Sequence, residues 1–269
     1  MSTPGGDLLV SKRNARFQQW EALLTNRNKR QRAGEFLVQG VRPINLALEH
    51  GWPIRALIHD SDRSLSDWAK GVIDRTETLQ VSMAGDLIAE LSGKEEGAAE
   101  LLAIVEMPPD DLSRIVVGPT FLGVVFDRPS SPGNIGTVIR GADAFGAAGV
   151  IITGHAADPY DPRAVRASTG SLFAVPVVRE RGHVDVLAWA REAGVNVVGT
   201  DEDGSGDVAD YDLTGPTLLV IGNETSGMSA GWRESCDATV RIPISGSASS
   251  LNAASAATVF LYEAARQRG

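Results

Sequence analysis

Three polar stretches, each directly after an apolar run, carry the residues best suited to chemistry. The first runs from Asp127 to Arg140 and places Asn134, Gly136 and Arg140 in the pattern N-x-G-x-x-x-R. A Pro/Gly loop between a strand and a helix is a common binding place for an anion or a cofactor. A simpler interpretation accounts for the same letters: Asn134 caps the helix and Arg140 lies on its surface.

The second and third stretches follow later apolar runs. Ile221 to Gly227 has the pattern G-x-E-x-x-G, in which an acid directly after a strand can orient a hydroxyl or an arginine; a plain tight turn has the same composition. Ile242 to Asn252 is rich in Ser, Ala and Gly. Small side chains there predict a close-packed loop that admits a ligand or another backbone segment, with Ser250 and Asn252 as its polar groups.

Several kinds of chemistry are disfavoured. No G-x-S-x-G surrounds a serine, so hydrolase chemistry is unsupported. The glycine spacing of the first stretch departs from G-x-G-x-x-G, which counts against a nucleotide-dependent oxidoreductase. We expect no metal site, because the single Cys236 and four scattered histidines give no ligand cluster.

The three stretches can form one site only if the fold brings them together. The pattern of the second half of the chain predicts a parallel sheet that would do so. Near-continuous apolar runs predict buried parallel strands at 121–126, 150–152, 195–199 and 218–221. Helices are predicted between and after them, at 135–145, 184–193 and 251–268. An open parallel sheet binds ligands at the carboxyl ends of its strands, where the polar stretches lie.

The first half of the chain predicts a smaller α/β domain. Short apolar runs predict strands at 36–38, 54–58, 79–81 and 101–105, and helices at 43–50, 65–75 and 86–91. Adjacent prolines at 108–109 indicate a linker. We therefore predict a basic arm at 1–32, a small domain at 33–107, a linker at 108–118 and a second domain at 119–269.

The charge of the chain depends on where it is counted. Over 269 residues, 25 Lys+Arg stand against 34 Asp+Glu, and this net charge of −9 counts against nucleic acid as a partner. Between Ser11 and Arg32, however, seven basic residues face only Glu21, a local +6 that leaves −15 for the rest. Such a segment, interleaved with amides and aromatics, either keeps a helix soluble or contacts an RNA backbone.

Targeting signals are not recognisable in the sequence. No apolar run approaches the roughly 20 residues of a membrane helix. The N-terminus lacks the apolar core of a secretory signal. We expect a cytoplasmic protein that does not enter a membrane.

Taken in order, the three stretches resemble the three motifs of the SpoU/TrmH class of RNA ribose 2′-O-methyltransferases, in the SPOUT superfamily. The likeness covers about Phe121 to Arg268, and the first half resembles the L30e-like substrate-binding domain of such enzymes. Arg13 to Phe17 and Asp158 to Ser171 are most similar to antibiotic-resistance 23S rRNA methyltransferases, first of the avilamycin-resistance and then of the thiostrepton-resistance type.

The resemblance implies a fold, a cofactor and partners. It implies a parallel α/β sheet with a C-terminal trefoil knot, and a homodimer with the knots at the interface. S-adenosylmethionine would be the methyl donor and 23S rRNA the substrate, with a uridine as target and a housekeeping or antibiotic-resistance role. A tRNA methyltransferase and a non-catalytic RNA-binding protein of the same fold are the alternatives; the joint presence of all three motifs favours an enzyme.

The resemblance also implies roles for individual residues. Arg140 would act at the target ribose, as a base or as an electrostatic stabiliser; an unperturbed arginine is a very poor base. The residues expected to orient Arg140 and the nucleotide are Asn134, Glu224, Ser250 and Asn252. The expected cofactor contacts are Thr200, Gly222, Asn223, Ile242 and Leu251. RNA contacts are predicted at Arg13, Arg16, Arg27, Lys29, Arg30 and Arg166.

Overall fold

The computed structural model describes residues 7–93 and 99–269, and these form two compact units. The first unit comprises the chain up to Pro108 together with Tyr160–Val165, and the second comprises Pro109–Pro159 and Arg166–Gly269. Residues 1–6 of the predicted arm and 94–98 of the predicted first domain lie outside the described residues.

The first unit is built on a five-stranded mixed sheet. Its strands are β1 Asp7–Val10, β2 Glu35–Gln39, β3 Ile54–Asp60, β4 Leu79–Met83 and β5 Leu101–Glu106, in the order β1-β4-β3-β5-β2. β1, β4 and β3 are parallel, and β5 runs antiparallel to β3 and β2. The helices of this part of the chain are α1 Ala15–Thr25, α2 Arg27–Ala33, α3 Val41–Glu49, α4 Asp67–Asp74 and α5 Gly85–Ser92.

The described part of the basic segment is not separate from this unit, which differs from the boundaries predicted at 32 and 33. Phe17, Trp20 and Leu23 of α1 are buried in one core with Ile58 and Leu102 of the sheet. Their spacing of three residues places them on one helical face, and an apolar face of that size must be covered. Arg16, Arg27, Lys29 and Arg32 lie on the exposed faces of the two helices, whereas Arg30 is buried.

The second unit is built on a seven-stranded sheet that is parallel throughout. Its strands are β6 Leu122–Asp127, β7 Gly149–Thr153, β8 Val177–Glu180, β9 Asn196–Thr200, β10 Gly206–Asp207, β11 Thr217–Ile221 and β12 Ala238–Arg241. Their order is β10-β12-β9-β11-β6-β7-β8. The helices of this half of the chain are α6 Pro132–Ala144, α7 Pro162–Ser168, α8 Ser171–Ala174, α9 His183–Glu192, α10 Ala230–Ser235 and α11 Ala253–Arg268.

The start of α6 differs from the sequence prediction in a way that matters for the site. The helix begins at Pro132, because a proline is well suited to the first helical position. The Ser131 hydroxyl, rather than the Asn134 side chain, accepts the capping hydrogen bond from the backbone amide of Asn134, at 3.4 Å. The alternative interpretation of Asn134 as the helix cap is therefore wrong, and the Asn134 side chain makes other contacts.

The strand order brings the three polar stretches to one edge of the sheet. Ile221 of β11 pairs with Phe126 of β6, and Val240 of β12 pairs with Thr200 of β9. β9 also pairs with β11, so four neighbouring strands end side by side. The loops that follow β6, β11 and β12 are the three polar stretches, as expected for ligand sites in open parallel sheets.

The described residues contain neither a candidate membrane span nor a candidate metal site. Within residues 7–93 and 99–269, no helix is both long and apolar enough to cross a membrane. Over the same ranges, no group of three or more His, Cys, Asp or Glu side chains could hold a metal ion.

Candidate functional site

Glu224 is the centre of a hydrogen-bond cluster that joins the loops after β6 and β11. One carboxylate oxygen accepts from the Ser131 amide at 3.1 Å and from Asn134 Nδ2 at 3.0 Å. The other accepts from the amide and the hydroxyl of Ser130, at 2.9 and 3.0 Å. Asn223 Nδ2 adds a contact of 3.3 Å. The carboxylate thus holds the loop before α6 and the first turn of that helix in place.

These donors also set the charge of Glu224. Partial burial acts to raise the pKa of the carboxyl, but hydrogen bonds from the Ser130 amide, its own amide, the Asn134 side chain and the Ser131 amide outweigh this and hold the pKa below its ordinary value. Glu224 is consequently an anion at neutral pH. With its oxygens already engaged, it is suited to positioning the loops rather than to taking a proton.

Asn134 connects this cluster to the third polar stretch. Its Nδ2 donates to Glu224, and its Oδ1 accepts from Asn252 Nδ2 at 3.4 Å. Asn252 in turn caps α11, because its Oδ1 accepts from the amides of Ala254 and Ser255 at 3.0 and 3.3 Å. One side chain from each polar stretch therefore belongs to a single chain of hydrogen bonds.

Arg128 also connects the loops after β6 and β11 by hydrogen bonds. It has a φ of 52°, which is uncommon for a residue with a side chain. Its guanidinium donates to Asp127 at 3.0 Å and to the Gly227 carbonyl at 3.0 Å, and its own carbonyl accepts from Asn223 Nδ2 at 2.6 Å. Strained conformations of this kind persist where the surroundings fix them on several sides.

A cavity of about 430 Å³ opens at the carboxyl ends of β9, β11 and β12. Its apolar wall includes Ile221, Ile242, Leu251 and Phe260, and its polar wall includes the backbone of the Gly222–Gly227 turn. A volume of this size with one apolar and one polar side is typical of sites for small molecules and cofactors.

The cavity collects most of the residues predicted for the site. All five predicted cofactor residues line it, namely Thr200, Gly222, Asn223, Ile242 and Leu251. Two predicted catalytic residues, Glu224 and Ser250, line it as well. Asn134 and Asn252 do not line it but join it through the cluster around Glu224.

Arg140 lies elsewhere on this unit. It is exposed near the end of α6 and does not line the cavity. In the described parts of the chain it has no hydrogen-bonding or ion-pairing partner. The structure therefore gathers four of the five predicted catalytic residues and leaves Arg140 as an exposed cation.

The predicted RNA contacts divide into exposed and buried residues. Arg13 and Arg16 are exposed and stack over Phe17 and Trp20, with 5.2 and 5.8 Å to the ring centroids. Arg13 also forms ion pairs with two acids. Arg27, Lys29 and Arg166 are exposed as well.

Arg30 is a correction to the sequence prediction. Its side chain is only 2% exposed, and its Nη1 donates to the Leu23 carbonyl at 2.7 Å. Its Nη2 lies 3.8 Å from Asp161, within the first unit. A buried guanidinium with these partners cannot reach a phosphate, so Arg30 supports the fold and is not an RNA contact.

Several residues of the site were not predicted, and four of them show why. Ser130 and Ser131 lie inside the first polar stretch, but nothing in their letters indicates that they donate to a carboxylate 93 to 94 residues away. Asp201 and Arg233 line the cavity. Asp201 carried a weak signal, because it lies two residues after the strand predicted at 195–199; Arg233 carried none, because α10 was not predicted.

Comparison with known proteins identifies the class. The SpoU rRNA methylase family model matches residues 122–262, and the SpoU L30e-like domain model matches residues 14–103. The chain belongs to the SpoU rRNA methylase family. The predicted resemblance is confirmed, as is the parallel α/β architecture preceded by an L30e-like domain.

Three similar proteins and structures show which members of the family this chain resembles. A 23S rRNA (uridine(2479)-2′-O)-methyltransferase from Streptomyces viridochromogenes is 61% identical over 264 residues, covering 96% of this chain and 92% of that protein. The crystal structure of the SpoU methyltransferase AviRb from the same organism, in complex with AdoMet, matches with a TM-score of 0.92 and 62% identity, covering 95% and 98%. An AdoMet-bound rRNA methyltransferase from Sinorhizobium meliloti matches with a TM-score of 0.87 and 32% identity, covering 97% and 98%.

Proposed function

We propose that this chain transfers a methyl group from S-adenosylmethionine to the ribose 2′-oxygen of a uridine in 23S rRNA. The observation that carries the proposal is the single hydrogen-bond chain through Glu224, Asn134 and Asn252, which sits beside a cofactor-sized cavity. The Streptomyces relative, 61% identical, is named for the same reaction on 23S rRNA.

The cavity fits the proposed cofactor. Its apolar wall around Ile242, Leu251 and Phe260 suits a purine, and its polar wall offers backbone groups and charges for a ribose and an amino acid. At Gly222 a Cβ would lie 2.4 Å from the backbone of Gly227, so the wall there has no room for a side chain. S-adenosylmethionine, when bound, supplies a methyl group activated on a sulfonium sulfur.

The residues of the chain have separable tasks in this proposal. Glu224 and Asn134 hold the loops that border the cavity in one arrangement, and such pre-organisation lowers the cost of aligning reactants. Arg140 supplies a guanidinium cation that favours the negative charge developing on the 2′-oxygen as its proton leaves. Ser250, exposed at the cavity, contributes a hydroxyl that can contact the nucleotide.

The test is methyl transfer in vitro. Unmodified 23S rRNA, ribosomal subunits and bulk tRNA are incubated with the protein and labelled S-adenosylmethionine, and the product is digested for mass spectrometry. We expect 2′-O-methyluridine in 23S rRNA. Transfer to tRNA alone would favour a tRNA methyltransferase, and RNA binding without transfer to any substrate would favour a non-catalytic protein.

We propose that the basic surface of the first unit binds RNA backbone. The exposed cations of α1, α2 and the turn before them are Lys12, Arg13, Arg16, Arg27, Lys29 and Arg32. The stacked Arg16–Trp20 pair places a cation beside an aromatic ring, a combination common at nucleic-acid surfaces. Arg166 is a further proposed phosphate contact on α7.

Changing Arg27, Lys29 and Arg32 together to Gln is expected to weaken RNA binding and to flatten its salt dependence. Each lost phosphate contact reduces the slope of log affinity against log salt by about 0.7 to 0.9. Filter binding between 50 and 300 mM KCl measures both quantities. Arg63, Lys70 and Arg75, also exposed in the first unit, provide a control triple with the same change in net charge. Equal weakening by the two triples would contradict a specific RNA surface.

We also propose a trefoil knot near the C-terminus and a homodimer. The support for a dimer is a group of exposed apolar side chains, Ile244, Leu251, Val259 and Tyr262, in the last loop and on α11. Light scattering is expected to give about twice the 28.4 kDa chain mass, and a monomer at micromolar concentration would contradict the dimer. For a 23S rRNA substrate the place of action is the cytoplasm, which cell fractionation would test.

A further inference from the structure

The charged side chains that line the cavity are of both signs. The acids are Asp201, Glu202 and Glu224, and Arg233 is the one cation among the described lining residues. Glu224 already accepts several hydrogen bonds from its own loops. The charges still available to a ligand are therefore Arg233 and the acids that follow β9.

Arg233 and Asp201 both line the cavity and form an ion pair with each other. Arg233 Nη2 lies 3.5 Å from Asp201 Oδ2, and the two side chains are 57% and 19% exposed. The guanidinium also lies close to the turn of the second polar stretch, since a Cβ on Gly227 would be 3.8 Å from Nη2. In the described parts of the chain this guanidinium makes no hydrogen bond, so its planar set of donors is available.

Asp201 is held more firmly than Arg233. Its backbone amide donates to the Val240 carbonyl at 3.1 Å, and its Oδ1 accepts from the Asp203 amide at 3.1 Å. The second carboxylate oxygen remains directed towards Arg233. A fixed carboxylate, paired at 3.5 Å with a guanidinium that makes no hydrogen bond in the described residues, matches the ammonium and the carboxylate of an amino acid.

The proposed cofactor carries the complementary charges. Its sulfonium and α-ammonium are cations and its α-carboxylate is an anion, opposite in sign to the acids and the single arginine of the lining. An arginine binds a carboxylate through two parallel hydrogen bonds, which a lysine cannot reproduce. Since the adenine fits the apolar wall at Ile242 and Leu251, the charged lining residues are left to contact the amino-acid end.

We propose that Arg233 binds the α-carboxylate of the cofactor and that Asp201 binds its α-ammonium, so that this pair selects ligands with an intact amino-acid end. The proposal rests on the proposed function, because it takes S-adenosylmethionine as the occupant of the cavity. Arg233 is thereby a specificity-determining residue outside the three polar stretches.

Calorimetric titration with paired ligands tests the proposal without an activity assay. S-adenosylhomocysteine and 5′-methylthioadenosine share the nucleoside, but only the first has the amino-acid end. Arg233→Gln is expected to weaken S-adenosylhomocysteine binding roughly 10- to 100-fold, in keeping with charge-assisted hydrogen bonds, and to change 5′-methylthioadenosine binding less than twofold. Arg191→Gln, an exposed arginine on α9, should affect neither ligand.

A third ligand separates the two roles. Decarboxylated S-adenosylmethionine keeps the ammonium and lacks the carboxylate, so Arg233→Gln should not weaken its binding whereas Asp201→Asn should. Equal weakening of all three ligands by Arg233→Gln, or no effect on any, would overturn the proposal while leaving the cofactor assignment in place. If the wild type bound none of the ligands, the proposed function would fail and this inference with it.

Discussion

Arg140→Ala is expected to lower methyl transfer about 100- to 1,000-fold, the usual cost of removing one group that stabilises developing charge. The proposed role is electrostatic, because the 2′-oxygen gains negative charge as its proton leaves and a nearby guanidinium cation stabilises that charge. Primer extension at low dNTP on the rRNA product measures the loss, since a 2′-O-methyl group stops the polymerase.

The position of Arg140 makes this variant easy to interpret. The residue is exposed and lies outside the cavity, so the substitution should leave both the melting temperature and the binding of S-adenosylhomocysteine unchanged. Arg140→Lys keeps the charge and should retain part of the activity. A primer-extension stop at full strength in Arg140→Ala would remove Arg140 from the mechanism.

The sequence predicted the frame of the site well, for a physical reason. The apolar runs that became β6, β7, β9 and β11 are nearly continuous, and buried parallel strands require such runs. The rule that ligands lie at the carboxyl ends of the strands then located the three polar stretches. β8 and β10 were not predicted, and the strand before the third polar stretch, β12, was expected only without bounds, because all three are short and carry charged residues such as Arg179 and Arg241.

The contacts within the site could be predicted only in part. Asn134 and Glu224 were chosen by resemblance, but their hydrogen bond joins residues 90 positions apart and depends on β6 and β11 being neighbours. Strand order of this kind is not contained in local periodicity. For Arg30 the letters indicated a surface cation, whereas packing against Leu23 and Asp161 buries it.

Gly222→Ala is expected to reduce cofactor binding about 100-fold or more and to lower the free energy of unfolding by about 1–3 kcal/mol, the range typical of overpacking. A Cβ at this position would lie 2.4 Å from Gly227 C and 2.4 Å from Met228 N. Both atoms belong to the backbone, so no side-chain rotation can relieve the contact.

Displacing the Gly227 backbone would also move other parts of the site. The turn is closed by reciprocal bonds between the backbones of Asn223 and Gly227, at 3.0 and 3.1 Å, and Arg128 holds the Gly227 carbonyl. Moving the turn would therefore shift Glu224 as well as the cavity wall. Calorimetry with S-adenosylhomocysteine and urea unfolding measure the two effects.

Gly246→Ala is the matched control for this prediction. Gly246 lies in the third polar stretch, and a Cβ there would meet nothing within 4 Å and no unfavourable φ. We expect it to change neither cofactor binding nor stability. Equal affinity of Gly222→Ala and Gly246→Ala for S-adenosylhomocysteine would contradict this prediction. It would mean that the backbone at Gly227 can move to accommodate a Cβ, and that the close contact of the Gly222 and Gly227 backbones does not determine the shape of the cofactor site.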